Sequence, residues 1–173
     1  MATIPTPELV TTRPMARVAK ELSESSGFLL ARLGVDIKAK AIARVEQAGY
    51  ELYDYSVLAI LAEGDRETQA AIADALGLDP SRLVALLDSL EKRGLVIRQR
   101  DPHDRRRHVI SITPDGKHIH AQLRQLTREV EAEFFAPLDP ESRKLFHALL
   151  MQLIAHHDPR CAPELDPDTA SLT

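Results

Sequence analysis

Between Asp79 and Thr113 the chain reads DPSRLVALLDSLEKRGLVIRQRDPHDRRRHVISIT, and its apolar pattern passes from helical to extended within this one stretch. That switch restricts the fold more than any other feature. Asp79 can cap a helix, and Pro80 suits the first helical position, where its fixed φ helps and its missing N–H costs nothing. Gly94 suits the left-handed residue that ends helices. Two short β-branched runs follow, Leu95 to Gln99 and Val109 to Ile112, joined by a loop dense in arginine. A helix followed by a basic hairpin makes a surface suited to reading a duplex.

Charge points the same way once its distribution is considered. The whole chain carries −4, which by itself argues against a polyanionic partner. From Arg82 to Arg107, however, eight basic residues (Arg82, Lys92, Arg93, Arg98, Arg100, Arg105, Arg106, Arg107) face four acidic ones, so this segment is +4 and the remainder −8. A compact basic patch can engage phosphates while an acidic body keeps the protein soluble.

Proline places the boundaries. Six of the eleven lie near the ends, which predicts disordered tails over 1–14 and 158–173 around one folded domain at 15–157. Its 173 residues suffice for one core and not for two large ones. A short helix is expected over 15–22. From Ser26 to Ala48, Leu30, Leu33, Ile37, Ala41 and Val45 recur at helical spacing and predict one buried stripe ended by Gly49. A helix from about Asp54 to Ala62 and another from Thr68 to Gly77 follow. The second of these and the helix after Asp79, split by a Gly-containing turn, form a helix-turn-helix pattern, with small alanines that permit a close crossing. Leu83, Leu86, Leu87 and Leu90 are assigned to the inner face of that last helix. Thr113–Pro114 and Asp139–Pro140 open two more helices, the first spanning roughly 32 Å if it reaches Phe135. The terminal helices carry more apolar surface than one protomer covers, which predicts a helical dimer interface.

In that order of elements stand LEKRGLVIR (Leu90 to Arg98), DPHDRRR (Asp101 to Arg107) and ITPDG (Ile112 to Gly116). Together they resemble the MarR family of winged helix-turn-helix transcriptional regulators over about residues 26–157. The resemblance implies a mainly α fold with a small β-wing. Its winged-helix DNA-binding lobe would cover about 54–112, and dimerisation helices about 15–49 and 114–157. It also implies a homodimer on a pseudo-palindromic operator, most often a repressor, whose binding a small molecule, metal or oxidant relieves.

The residues assigned to double-stranded DNA are Ser81, Arg82, Ala85 and Ser89 on the helix, Arg98 and Arg100 on the strand, and Asp104, Arg105, Arg106 and Arg107 at the wing tip. Small side chains at 81, 85 and 89 let the helix sit deep in a major groove. Arg82 suits either a guanine edge or a phosphate. Arg98 and Arg100 suit phosphates or a pair with Asp101. The wing matches the family's Asp-x-Arg pattern, which implies that Arg106 enters a minor groove while Asp104 orients its neighbours. An effector site is expected where the family keeps one, near Tyr50, Tyr53 and Tyr55, with Asp54, Phe28 and Arg32. Aromatic rings with a few polar groups suit an aromatic carboxylate or a phenol.

Other chemistries fare worse. His118 and His120 are two apart on a helix, and His156 and His157 are adjacent, so neither pair has the geometry of a helical metal site. The single cysteine, Cys161, excludes an intramolecular disulfide, fits a reducing cytoplasm, and lies in the tail rather than in the N-terminal helix where peroxide-sensing relatives keep theirs. No phosphate loop, paired-carboxylate motif or nucleophile–base arrangement marks an enzyme, and no cofactor is expected. No apolar run approaches a membrane span, and the N-terminus does not read as a secretory signal. The rivals to a ligand-controlled DNA-binding regulator are a metal- or redox-responsive one and a winged-helix protein-interaction module that has lost DNA. Three consecutive wing arginines speak against the latter.

Overall fold

The computed structural model describes residues 17–64, 66–100 and 108–161. It divides into two compact units at Asp36/Ile37. In the first, α1 is a single turn, Lys20–Ser23, in place of the helix expected over 15–22, and α2 (Ser26–Gln47) begins after it. Ser25 starts α2 by accepting the Phe28 N–H on its hydroxyl at 3.3 Å, which satisfies one of the orphan donors of a first turn. Leu29, Leu30, Leu33 and Val35 are all exposed, Val35 to 72%. The stripe predicted along α2 is therefore apolar but largely uncovered. Its later members, in the second unit, pass from half-buried Ile37 and Ala41 to fully buried Val45.

The second unit builds its core from α3 (Leu52–Gly64), β1 (Arg66–Thr68), α4 (Gln69–Leu76), α5 (Pro80–Lys92), β2 (Val96–Arg100), β3 (His108–Ile112) and α6 (Pro114–Phe134). Val57, Leu58, Leu61, Ile72, Leu83, Leu87, Leu90, Val96, Ile110 and Leu123 are fully buried at its centre. Leu86, expected on the inner face of α5, is only half-buried. The sheet has three antiparallel strands in the order β1-β3-β2, with Glu67 opposite Ile110 and Arg98 opposite Ile110 on the other side. The strand β1 was not foreseen. Thr68 ends it and also caps α4, its hydroxyl accepting the Ala71 N–H at 3.1 Å.

The end of α5 is fixed by backbone geometry. Gly94 has φ +72°. Its N–H donates to Glu91 O at 2.9 Å and the Leu95 N–H to Leu90 O at 3.0 Å. This pair of bonds closes the helix in the Schellman manner and turns the chain straight into β2. The ITPDG run then docks on that turn. The Thr113 N–H donates to Leu95 O at 3.0 Å, and the Thr113 hydroxyl donates to Gly94 O at 2.7 Å while accepting the Gly116 N–H at 3.0 Å to cap α6. Gly116 is buried against the Leu95 carbonyl and the Ile112 side chain, leaving no room for a Cβ.

After α6 comes α7 (Pro140–His157), none of whose residues is buried; Leu145 is 63% exposed, and Leu149 and Leu153 are also open. Within the stretch expected to be a tail from residue 158, Pro159–Cys161 form a 3-10 turn; the rest of that stretch, and the tail expected over 1–14, lie outside the described residues. Arg160 holds the Asp158 carboxylate with two guanidinium bonds, at 2.7 and 2.9 Å, and donates to the Asp74 carbonyl at 2.7 Å. No described helix is long and apolar enough to cross a membrane.

Replacing Gly116 by Ala should therefore lower stability by about 3 kcal/mol, the upper part of the overpacking range. Urea unfolding of the two proteins measures this. An unchanged midpoint would show that the Leu95–Gly116 approach is not rigid.

Candidate nucleic-acid interface

Helix α5 presents four strips, each a consequence of its 3.6-residue period. Leu83, Leu87 and Leu90 enter the core. Val84, Asp88 and Glu91 face the strand β2. Arg82, Leu86, Ser89 and Arg93 face the corner between α2 and α3. Ser81, Ala85, Asp88 and Lys92 run along the outward side, and all four are exposed. Small residues in the outward strip leave its backbone accessible at the width of a major groove, about 12 Å. At its start Asp79 caps the helix: the Ser81 N–H donates to its carboxylate at 2.8 Å and the Ser81 hydroxyl donates to the same oxygen. These bonds hold the Asp79 carboxyl below the usual range.

The strip facing β2 is occupied by Arg98. Its guanidinium pairs with Asp88, lies 3.7 Å from Glu91, and donates to the Val84 carbonyl at 3.2 Å, while the Arg98 N–H donates to Glu91 at 3.2 Å. With a side chain only 21% exposed, Arg98 is a strut between wing strand and helix. Among the described residues Arg98 is thus spent on internal partners rather than offered to a phosphate, and its expected pair with Asp101 falls outside the described residues. Withdrawing its side chain would leave the Asp88 carboxylate and the Val84 carbonyl without this donor, while Glu91 would keep the Arg98 N–H. Arg100, one step further out, is exposed. Asp104, Arg105, Arg106 and Arg107 lie outside the described residues, as does Asp101.

The strip facing the α2–α3 corner borders a cleft of about 520 Å³, lined by Glu46, Gly49, Tyr50, Glu51, Tyr53, Asp54, Arg82, Ala85, Leu86, Ser89 and Arg93. The Arg93 guanidinium lies 3.8 Å from the Tyr50 ring centroid, donates to Gly49 O at 3.3 Å, and stands 3.7 Å from the Asp54 carboxylate. Arg82 lies over Tyr53 at 4.6 Å. Asp54 is 3% exposed and reaches back to accept the Glu51 N–H at 2.8 Å, the reciprocal half of a capping box at the start of α3. Burial pushes the Asp54 carboxyl above its ordinary value. The Glu51 N–H and the Arg93 charge pull it partly back, and the Glu51 charge adds to the rise.

Of the residues expected to bind an effector, Tyr50, Tyr53 and Asp54 meet in this cleft. Tyr55 does not line it. Its ring stacks on His120 of α6, with centroids 5.9 Å apart and planes at 13°, and burial together with the nearby Arg124 charge lowers the His120 pKa. Phe28, half-buried, and Arg32, exposed, belong to the N-terminal unit and are not among the lining residues. Arg93 received no role from the sequence, since nothing local points across the 44 positions to Gly49. A second opening of about 580 Å³, mostly apolar, lies between the end of α2 and α6 and shares Tyr50. Among the described residues no group of three or more His, Cys, Asp or Glu is placed to hold a metal ion.

The raised Asp54 pKa has a sign. Its neutral form is favoured in the fold, so the contribution is fully present below about 3.8, the unfolded value, and is lost as pH rises through the raised folded value. Asp54→Asn, which cannot ionise, should therefore gain stability relative to the parent between pH 4 and pH 7. Paired urea titrations at the two pH values test this, and a difference that stays constant or turns the other way refutes it.

Comparison with known proteins agrees with this architecture. Residues 48–107 match the family model described as "MarR family". A putative transcriptional regulatory protein for the hcr operon of Thauera aromatica is 32% identical over 99 residues, 57% of this chain and 60% of the relative, so the match spans less than two thirds of that protein. The structure of CouR from Rhodococcus jostii RHA1 bound to p-coumaroyl-CoA is 30% identical with a TM-score of 0.70, covering 82% of this chain and 97% of that one. The transcriptional repressor CouR bound to a 23-mer DNA duplex is 29% identical with a TM-score of 0.71, covering 80% and 99%. With α5, the wing strands and the ITPDG junction in place, the chain belongs to the MarR family of winged helix-turn-helix transcriptional regulators.

Proposed function

We propose that this regulator acts as a homodimer, most often as a repressor, on a pseudo-palindromic operator in the cytoplasm. The single observation that carries the reading is the outward strip of α5. It is exposed, with small Ser81 and Ala85 at its start, and it lies beside a wing strand braced by Arg98. Two such helices enter successive major grooves about 34 Å apart. Ser81 and Ala85 approach the base edges, Arg82 a base or phosphate, and Arg100 a phosphate; Ser89, assigned to the groove from the sequence, lines the corner cleft. Asp104, Arg105, Arg106 and Arg107 work at the flanking minor groove. The partner copy covers the open apolar faces of the terminal helices, among them Leu30, Leu33, Leu145 and Leu149. CouR, seen with a DNA duplex, supports this use of the fold.

A small organic effector, aromatic in part, controls binding. Tyr50, Tyr53 and Asp54 at the α2–α3 corner are its contacts in the described cleft, and Phe28 and Arg32 remain candidates from the sequence, whereas Tyr55 stacks on His120 instead. The CouR complex with p-coumaroyl-CoA supports an organic acid derivative as the class.

The test is operator binding to a duplex selected from a randomised library, measured between 50 and 200 mM salt. Counterion release predicts a log–log slope of about −0.9 per phosphate contacted. Arg106→Ala should weaken binding by about 1–3 kcal/mol and leave the sedimentation of the dimer unchanged. Affinity that is flat across salt overturns the mechanism.

A further inference from the structure

The reading helix carries two arginines on its corner-facing strip, and both lie on tyrosines of the same corner. Their surroundings differ in one respect. Arg93 has the ring of Tyr50, the carboxylate of Asp54 and the carbonyl of Gly49. Arg82 has the ring of Tyr53 and, among the described residues, no carboxylate and no acceptor for its guanidinium. Arg93 is thus satisfied by the protein. Arg82 is held by a contact that leaves every one of its N–H donors unused.

A cation over an aromatic face is attracted by the ring quadrupole, and arginine engages a ring this way while its donors remain free for a second partner. Position completes the case. Arg82 stands in the first turn of α5, next to the outward strip that starts at Ser81. Tyr53 is half-buried and packed against the core, so it is a firm platform under a long, otherwise mobile side chain. A side chain already restricted in the free protein loses less freedom on binding.

We propose that Tyr53 is a positioning residue for DNA reading: its ring holds the Arg82 guanidinium beside the groove-facing strip, so that a base or phosphate meets an arginine already in place. The proposal rests on α5 being the reading helix and adds to that reading a residue on another element that touches no DNA.

The experiment is a double-mutant cycle on the operator that the wild-type protein selects from a randomised duplex library. The expected results are specific. Tyr53→Phe keeps the ring and binds within about twofold of wild type. Tyr53→Leu keeps apolar packing but not the quadrupole, weakens operator binding about three- to tenfold, and flattens base preference at the same positions as Arg82→Ala. In the Arg82→Ala background Tyr53→Leu has no further effect. Should the leucine variant fold poorly, a fluorinated phenylalanine at position 53 supplies the same comparison, since it keeps the shape and cancels the negative face. A plain packing role would instead lower the melting temperature and weaken binding equally in both backgrounds, and that result overturns the proposal. Tighter binding by Tyr53→Leu overturns it too. If Arg82→Ala changes neither affinity nor base preference, the assignment of Arg82 to DNA fails, and the role of Tyr53 fails with it.

Discussion

The carbonyl end of α5 and the start of α6 are joined through one backbone oxygen, that of Leu95. It accepts the Thr113 N–H at 3.0 Å and lies against Gly116, while the Thr113 hydroxyl bonds the neighbouring Gly94 carbonyl. The placing of α5 against the wing rests on this knot. Through it α5, both wing strands and α6 meet within a few residues. A buried carbonyl stripped of these donors would cost about 1–3 kcal/mol, and the absence of a side chain at position 116 is what lets the donors approach.

Around the knot, the arginines divide their labour. The segment from Arg82 to Arg107 is net basic, yet much of that charge is not offered to a partner. Arg98 is committed to Asp88 and Glu91, and Arg93 to Asp54 and Gly49. These internal pairs set the angle between wing and helix and fasten the helix to the corner below. Among the described residues, the basic side chains of this segment that are exposed and outside these pairs are Arg82, Lys92 and Arg100. Basic composition alone would have overstated the electrostatic grip, since a guanidinium already paired releases fewer counterions on binding.

How far the sequence foretold this depended on the range of each interaction. The bounds of α5, the Gly94 stop, the Thr68 and Thr113 caps and the strands of the wing were legible, because caps, glycine turns and apolar periods act over a few residues. The strand β1 was not, being three residues, Arg66–Thr68, with no alternation to read. The pairs that define the site were equally hidden. Arg98 was expected at a phosphate and is a strut. Tyr55 was grouped with Tyr50 and Tyr53 and turns instead to His120. On a helix, residue 55 points roughly 200° away from residue 53, so three tyrosines in six positions could not all line one cleft. The stripe along α2 was correctly apolar, but periodicity says only that a face seeks cover and not whether the same chain provides it.

The turn that ends the described chain has a consequence in chain entropy. Arg160 reaches the Asp74 carbonyl across 86 positions, and closing a flexible loop of that length costs about 4 kcal/mol beyond a constant. A single bond between solvent-exposed groups is screened by water and returns less than that. The clasp therefore cannot form from an unfolded chain and closes only once α6 and α7 have already shortened the path between its ends. It behaves as a latch on a finished structure: the last contact to be made, the first to let go, and able to open while every helix stays folded.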